Sequence, residues 1–324
     1  MSSGAIPFLD ATAIRSAVTM AELLDAVEAA YRDVAGGRDR SPMRTRVELP
    51  DGDLLLMPGV RDGGSGSSVK LVTVMAGNAR RGLPTVQAVV VWFDAATGRP
   101  LALLDGEALT AMRTGAASGV ATRLLARPDA ETLAVFGAGG QAEWQIRAVL
   151  AARPIRRVVV YARSPEARVA FAARMAAATG VETAAAGSAE DAVRDADVVC
   201  CATTSVAPVF EAGWLRPGAH VNGIGAFRLG MVEMPPELFA RATLVAVDSR
   251  TAVVAEAGDV VAAIEAGLVA EADLVEIGSV GADWLTERPA EAVTVFKSVG
   301  LAIQDVAAAE LIAGRLLRER EADR

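Results

Sequence analysis

Three cationic residues stand in surroundings that do not call for charge. Arg44 lies in Ser41-Pro-Met-Arg44-Thr-Arg46. Lys70 interrupts an apolar strand pattern, Val69-Lys70-Leu-Val-Thr-Val74. Arg113 stands in Leu109-Thr-Ala-Met-Arg113-Thr114, on a helical pattern otherwise built of small and apolar residues. Together they offer what a carboxylate-bearing ligand needs: arginine as a two-pronged clamp, lysine as a point charge or proton donor. Plainer readings stand beside this one. A lysine on an edge strand discourages aggregation, and an arginine on a helix can simply face water.

A second constellation points to the chemistry such a ligand would meet. Thr132-Leu-Ala-Val-Phe-Gly137-Ala-Gly139-Gly140-Gln141-Ala142 is an apolar strand pattern ending in a glycine-rich turn, and a helical pattern through Trp144, Ile146, Val149 and Leu150 follows at once. In this strand–turn–helix context G-x-G-x-x-G/A marks a dinucleotide site. Gly137 permits the tight turn, Gly139 has no side chain to block a pyrophosphate, and Ala142 lets the helix lie close on the strand. The helix then points unpaired N–H groups and its positive dipole end at the phosphates. The alternative is a parallel-sheet turn whose glycines serve packing alone.

The next strand, Arg157-Val-Val-Val-Tyr161, runs into Ala162-Arg163-Ser164-Pro165. Pro165 suits the first turn of a helix that Ser164 can cap. A site for NAD usually ends this strand in Asp or Glu, which takes the ribose 2′-hydroxyl. Here Ala162 stands near that place, with Arg163 and Ser164 beside it. A carboxylate would repel a 2′-phosphate, whereas an arginine and a hydroxyl bind one. The expected cofactor is therefore NADPH (NADP), with NADH the less favoured; Arg163 as an ordinary solvated arginine is the plain alternative.

Composition narrows the class. The chain has 324 residues, 52% of them hydrophobic, and a formal net charge of −8. Length alone allows two domains. The negative charge argues against nucleic acid and anionic membranes, and with aromatics at 4% base-stacking platforms are not expected. The two cysteines are neighbours, Cys200 and Cys201, in an apolar strand pattern, and the one histidine is His220. Adjacent strand residues point to opposite faces, so these thiols read as packing and not as a disulfide, and the set is too small for a zinc cluster; no metal site is expected. A Ser-His-Asp device would have to use His220, and no G-x-S-x-G elbow is present. Met1-Ser-Ser-Gly-Ala-Ile-Pro-Phe-Leu-Asp10 lacks a basic segment followed by an apolar core, and no apolar run reaches ~18 residues. The expectation is a soluble, cytoplasmic protein without membrane or nucleic-acid partners.

The elements that must position these residues fall into two styles. Thr19-Met-Ala-Glu22 is a capping-box pattern leading a helix with Leu23, Leu24, Val27 and Tyr31. Strand patterns follow at Thr45–Leu49, Leu54–Met57, Val69–Val74, Val86–Phe93 and Pro100–Leu104, with Gly63–Ser68 a flexible loop tip and Asp94–Gly98 a turn, which together read as an antiparallel sheet. Leu109 to Leu125 reads as a connecting helix. From Thr132, strands at 132–137, 157–161, 181–185, 197–202, 219–224 and 243–247 alternate with helices, the signature of a parallel sheet covered on both faces. Residues 298–319 form one long helical pattern that could return to the N-terminal domain. The predicted division is 1–115 plus 300–324 for a substrate-binding and dimerisation domain and 116–299 for the nucleotide domain.

These segments, in this order, carry a resemblance: Lys70-Leu-Val-Thr-Val, Gly82-Leu-Pro-Thr85-Val-Gln87, Leu104-Asp-Gly106, Leu109-Thr-Ala-Met-Arg113-Thr114, Gly137-Ala-Gly-Gly-Gln141-Ala142, Ala202-Thr203-Thr204-Ser205, Pro217-Gly-Ala-His220-Val-Asn-Gly-Ile-Gly225, Val247-Asp248-Ser249, Glu256-Ala-Gly258-Asp259 and Phe296-Lys-Ser298-Val-Gly300. The chain resembles the ornithine cyclodeaminase/mu-crystallin family along nearly its whole length. The resemblance implies an α/β fold in which a Rossmann-type doubly wound parallel sheet is inserted into an α/β dimerisation and substrate domain, and a homodimer built through the N-terminal sheets. It implies chemistry at a C=N bond next to a carboxylate. By motif position Arg44, Lys70 and Arg113 would hold the substrate carboxylate, Lys70 also being a candidate proton donor, and Thr85 would line the same pocket. Thr114, Gly139, Gln141, Thr203, Thr204 and Ser298 would surround the cofactor, with Gly137, Gly140, Arg163 and Ser164 completing its expected site.

The chain also departs from the family's cyclodeaminases. Phe227, in Gly225-Ala-Phe227-Arg228, stands where ornithine cyclodeaminase carries an aspartate, and Leu55 where it carries a glutamate. A phenyl ring takes no proton and pairs with no ammonium. Leu55, Met57 and Phe227 are therefore expected to line a pocket for an apolar substrate. The resulting expectation is an NADPH-dependent reductase of cyclic or N-substituted α-imino acids, or a related amino-acid dehydrogenase, with the substrate placed at the carboxyl ends of the strands between the domains. The alternatives are a diamino-acid cyclodeaminase that retains NAD, a crystallin-like protein that binds NADPH without turnover, and a methyltransferase.

Overall fold

The computed structural model describes residues 5–322; the first four residues of the N-terminal segment considered above lie outside them. The chain divides into two compact units, one formed by residues 1–113 and 301–324 and the other by Thr114–Gly300. Thr114, Gly115 and Gly300, which the sequence reading assigned to the first domain, belong to the second unit.

The first unit opens with β1 (Phe8–Leu9), α1 (Ala11–Ala17) and α2 (Met20–Ala35), continues through β2 (Thr45–Leu49), β3 (Gly52–Val60), β4 (Gly66–Met75), β5 (Val86–Asp94) and β6 (Pro100–Asp105), and passes into α3 (Gly106–Leu125), which carries the chain across the boundary. Thr19 caps α2 with its hydroxyl while Glu22 reaches back to the Thr19 N–H, the reciprocal box that the spacing predicts. The six strands order as β1-β6-β5-β4-β3-β2, antiparallel from β6 through β2, with β1 joining β6 in parallel. Gly66 and Ser68, expected in a loop tip, are already strand, and Ser68 is buried.

One face of this sheet is core: Leu55, Met57, Val72, Val90 and Trp92 are buried. α11 (Ala302–Ala322) covers that face and packs on α2 as well. α11 begins four residues later than its sequence pattern, because Gly300 at φ +82° turns the chain before the helix starts. Alternation puts Val47, Leu54, Leu56, Leu71, Val69 and Val91 on the opposite face, where they are exposed or half-buried.

The second unit runs β7 (Thr132–Phe136), α4 (Ala142–Ala152), β8 (Arg157–Tyr161), α5 (Pro165–Thr179), β9 (Glu182–Ala185), α6 (Ala189–Val193), β10 (Val198–Cys201), β11 (His220–Gly223), α7 (Pro236–Arg241), β12 (Leu244–Val247), α8 (Arg250–Glu256), α9 (Gly258–Glu265), β13 (Val275–Glu276), α10 (Trp284–Glu287) and β14 (Thr294–Lys297). Its eight strands are all parallel and order as β13-β12-β14-β11-β10-β7-β8-β9. β13 and β14 were not among the expected strands, yet β14 sits inside the sheet between β12 and β11. The strands read as continuous apolar runs because both faces are buried: Leu133, Val135, Val158, Val160 and Val198 form one core with Ile146, Val149 and Phe171. Cys200 and Cys201 are buried free thiols in β10. This is the Rossmann-type doubly wound sheet inserted in an α/β unit. Among the described residues no helix is long and apolar enough to cross a membrane.

Candidate active site

In the first unit the site is built around Lys70. β4 lies between β3 and β5, so Lys70 is not an edge-strand lysine. Met57 stands directly opposite it on β3 and Val90 on β5, all on the core face beside Leu55. Lys70 is 1% exposed. A buried ammonium demands a partner, and the partner comes from α11: the Asp305 carboxylate lies 2.6 Å from Lys70 Nζ and accepts a 2.9 Å hydrogen bond from Arg113 Nε. Arg113 is buried as well, not facing water, and its second nitrogen donates to Gln304 Oε1 at 2.8 Å. The Gln304 amide in turn donates to the Tyr31 hydroxyl on α2. Asp305, Gln304 and Tyr31 are the members that sequence reasoning missed. Gln304 and Asp305 side by side in the otherwise apolar run Leu301-Ala-Ile-Gln-Asp305-Val-Ala-Ala-Ala were the available signal.

The electrostatics follow from this arrangement. Burial first, then the neighbouring Arg113 and Arg44 charges, bring the Lys70 ammonium down from 10.5 to about 7, against the upward pull of Asp305. Arg44, just before β2, is half-buried and close enough for its charge to be felt at Lys70. Two buried cations, Lys70 and Arg113, thus share one buried carboxylate. The surplus positive charge suits an added anion, and an amine titrating near neutrality can give or take a proton. Leu55 and Met57 add buried apolar surface beside it. Thr85 is half-buried just ahead of β5, where its carbonyl accepts from the Met75 N–H at 2.8 Å.

In the second unit the glycine turn follows β7. Gly137 has φ +114°, and a Cβ there would press on the Ala202 carbonyl oxygen at 2.6 Å, so this position requires glycine. Cβ atoms on Gly139 or Gly140 would meet nothing within 4 Å. Those two glycines therefore leave open space at the start of α4, the cradle that a pyrophosphate needs. Gln141, at the N-cap of α4, makes no capping bond with its side chain, and its buried Oε1 has no hydrogen-bond partner.

At the end of β8, Arg163 is exposed and Ser164 caps α5, as expected. The Ser164 hydroxyl accepts from the Ala167 N–H at 3.1 Å and donates to Glu166 at 2.8 Å. Its hydrogen is therefore committed, and a 2′-phosphate at this strand end would depend on Arg163. Arg168 lies 5.2 Å over the Tyr161 ring and bonds the Ala162 carbonyl. Thr114 is buried and Thr204 exposed. Thr203 donates both its N–H and its hydroxyl to Glu233. The Ser298 hydroxyl donates to Asp248 at 2.7 Å. Phe227 is half-buried, with the Arg228 guanidinium 5.6 Å over its ring. His220 bonds Thr294 and Asn222, and burial holds it neutral with a pKa of about 3, which removes it from proton chemistry near neutrality.

Comparison with known proteins gives a consistent set of likenesses. The chain matches the ornithine cyclodeaminase/mu-crystallin family over residues 7–320. It is 37% identical over 314 residues to a delta(1)-pyrroline-2-carboxylate reductase of Bacillus cereus, covering 96% of this chain and 95% of that one. It is 35% identical to the ketimine reductase mu-crystallin of Mus musculus, covering 94% and 96%. Among solved structures, the Thermococcus litoralis delta(1)-pyrroline-2-carboxylate reductase in complex with NADH and L-proline superposes with a TM-score of 0.91 at 34% identity, covering 97% of this chain and 98% of that one.

Proposed function

Because this chain belongs to the ornithine cyclodeaminase/mu-crystallin family, we propose that it is an NAD(P)H-dependent reductase of a C=N bond next to a carboxylate, acting on a cyclic imino acid such as a pyrroline-2-carboxylate. The observation that carries this reading is the pair Lys70 and Arg113 held by the single carboxylate of Asp305. A second carboxylate, brought by the substrate, completes the charge balance.

The second unit would hold the cofactor. Gly137, Gly139, Gly140 and Gln141 cradle the pyrophosphate, and Thr114, Thr203, Thr204 and Ser298 surround the remainder. Arg163 favours the 2′-phosphate of NADPH, whereas the T. litoralis structure holds NADH. When bound, the cofactor supplies a hydride. The first unit does the rest. Arg44 and Arg113 fix the substrate carboxylate, Lys70 gives a proton to the imine nitrogen, and Leu55 and Met57 keep water from the ring. A protonated imine is the better electrophile, so the proton and the orientation are what the protein contributes.

Phe227 and Leu55 favour the reductase over a diamino-acid cyclodeaminase, because neither offers a carboxylate to a substrate amine. The uncovered apolar sheet face around Leu54, Leu56 and Leu71 supports a homodimer through the first unit. The free buried thiols suit a cytoplasmic protein. The test is cofactor oxidation, followed optically, against a panel of cyclic α-imino acids and of 2-oxo acids with amines. Rapid oxidation of NADPH with a pyrroline- or piperideine-2-carboxylate is expected. Tight NADPH binding with no turnover across the panel would replace this reading with a binding protein.

A further inference from the structure

Glu233 is 0% exposed and has no part in the chemistry proposed above. It lies between two loops of the second unit. One leaves the carboxyl end of β10 at Thr203; the other leaves the carboxyl end of β11 and carries Gly225, Ala226 and Phe227. Four hydrogen-bond donors converge on its carboxylate. Oε2 accepts from the Thr203 N–H at 3.0 Å and the Thr203 hydroxyl at 3.1 Å. Oε1 accepts from the Gly225 N–H at 2.5 Å and the Ala226 N–H at 3.2 Å.

The backbone closes the same seam. The Val232 N–H donates to the Ser205 carbonyl at 3.0 Å, and the Val209 N–H donates to the Glu233 carbonyl at 3.0 Å. The seam has no slack, since a Cβ on Gly225 would run into the Thr203 carbonyl oxygen and the Glu233 carboxylate. Beneath it lies Lys297 on β14, with its Nζ 2.9 Å from Asp259 and 4.0 Å from Glu233. The thiols of Cys200 and Cys201 also feel the charge of Glu233. One oxygen of Glu233 therefore serves the loop of Thr203 and the other the loop of Phe227.

We propose that Glu233 is a positioning residue that joins the cofactor loop at Thr203 to the pocket loop at Phe227, so that occupancy of the first fixes the geometry of the second. The inference rests on the cofactor and pocket roles assigned above to Thr203 and Phe227. A carboxylate is required because all four groups are donors. An amide of the same size would turn an N–H₂ toward two of them and release one loop. Substrate choice at Phe227 is then tied to cofactor binding through one buried side chain.

The test is hydrogen–deuterium exchange on the full chain, with NADPH and NADH in parallel. In the wild type, cofactor should slow exchange at 203–209 and also at 224–228. In Glu233→Gln, cofactor should still slow 203–209 but leave 224–228 unprotected, with the cofactor Kd raised about tenfold, the scale of one lost charged hydrogen bond. Glu233→Asp, which keeps the charge but shortens its reach, should break the same spread and serves if the glutamine variant does not fold. Protection at 224–228 that persists in a folded variant, or is missing from the cofactor-bound wild type, overturns the proposal. A wild type that binds neither cofactor would instead overturn the function on which it rests.

Discussion

Lys70 and Asp305 form a buried ion pair, 2.6 Å long, between a central strand and the C-terminal helix of one unit. The two side chains are 1% and 0% exposed, so neither is screened by water. The same carboxylate holds Arg113, and the site's cationic surplus follows from that sharing.

Lys70→Met should leave folding and cofactor binding intact, because Arg113 still neutralises Asp305, while turnover falls by ~10²-fold or more, the scale of a positioned acid. Steady-state kinetics beside a cofactor titration will check it. Near-normal turnover would move the proton source to water.

The reductive kcat/KM should fall as pH rises through about 7, where Lys70 loses its proton. The same depression bears on stability with a definite sign. The unfolded chain holds the lysine proton up to about 10.4, so between about 7 and that value it binds more protons than the folded chain, and stability should rise with pH. Lys70→Met should remove both dependences, the first read from initial rates and the second from denaturant titrations.

Asp305→Asn should destabilise the protein by ~3–5 kcal/mol, the cost of breaking a buried pair. It should also move the basic limb of kcat/KM to lower pH, since the carboxylate holds the Lys70 ammonium up. An unshifted limb in a folded variant would detach the limb from Lys70.

Arg163→Ala should weaken NADPH by ~1.5–3 kcal/mol, the range for charged hydrogen bonds, and leave NADH nearly unchanged. Equal losses for both would remove the 2′-phosphate from this strand end.

Ornithine should not yield proline at a useful rate, because Phe227 and Leu55 supply no carboxylate for its amines. Robust proline formation with catalytic cofactor, measured by amino-acid analysis, would show that other groups serve them.

What the sequence revealed and what it hid divide along the range of the interactions. The strands from Thr45 to Asp105 and the turn at Gly137 are local matters of alternation and of a backbone angle that only glycine meets cheaply, and they were legible. So was the oddity of a lysine at position 70. Its partner was not: Asp305 lies on a helix that also carries Glu310 and Glu319, and only the return of that helix to the sheet selects it. β14 was hidden for a similar reason. Thr294–Lys297 contains a lysine that looks solvent-bound until Asp259 and Glu233 surround it. Ser164 was legible as a cap but not as the partner of Glu166, because two roles competed for one hydroxyl.

The first unit takes its covering helix from beyond the second. A ribosome therefore releases β3, β4 and β5 with Leu55, Met57 and Val72 uncovered, then makes all of Thr114–Gly300 before α11 emerges. Throughout that interval Lys70 and Arg113 have no Asp305. The nucleotide-type unit is complete first, and the cationic site comes into being only once α11 has been made.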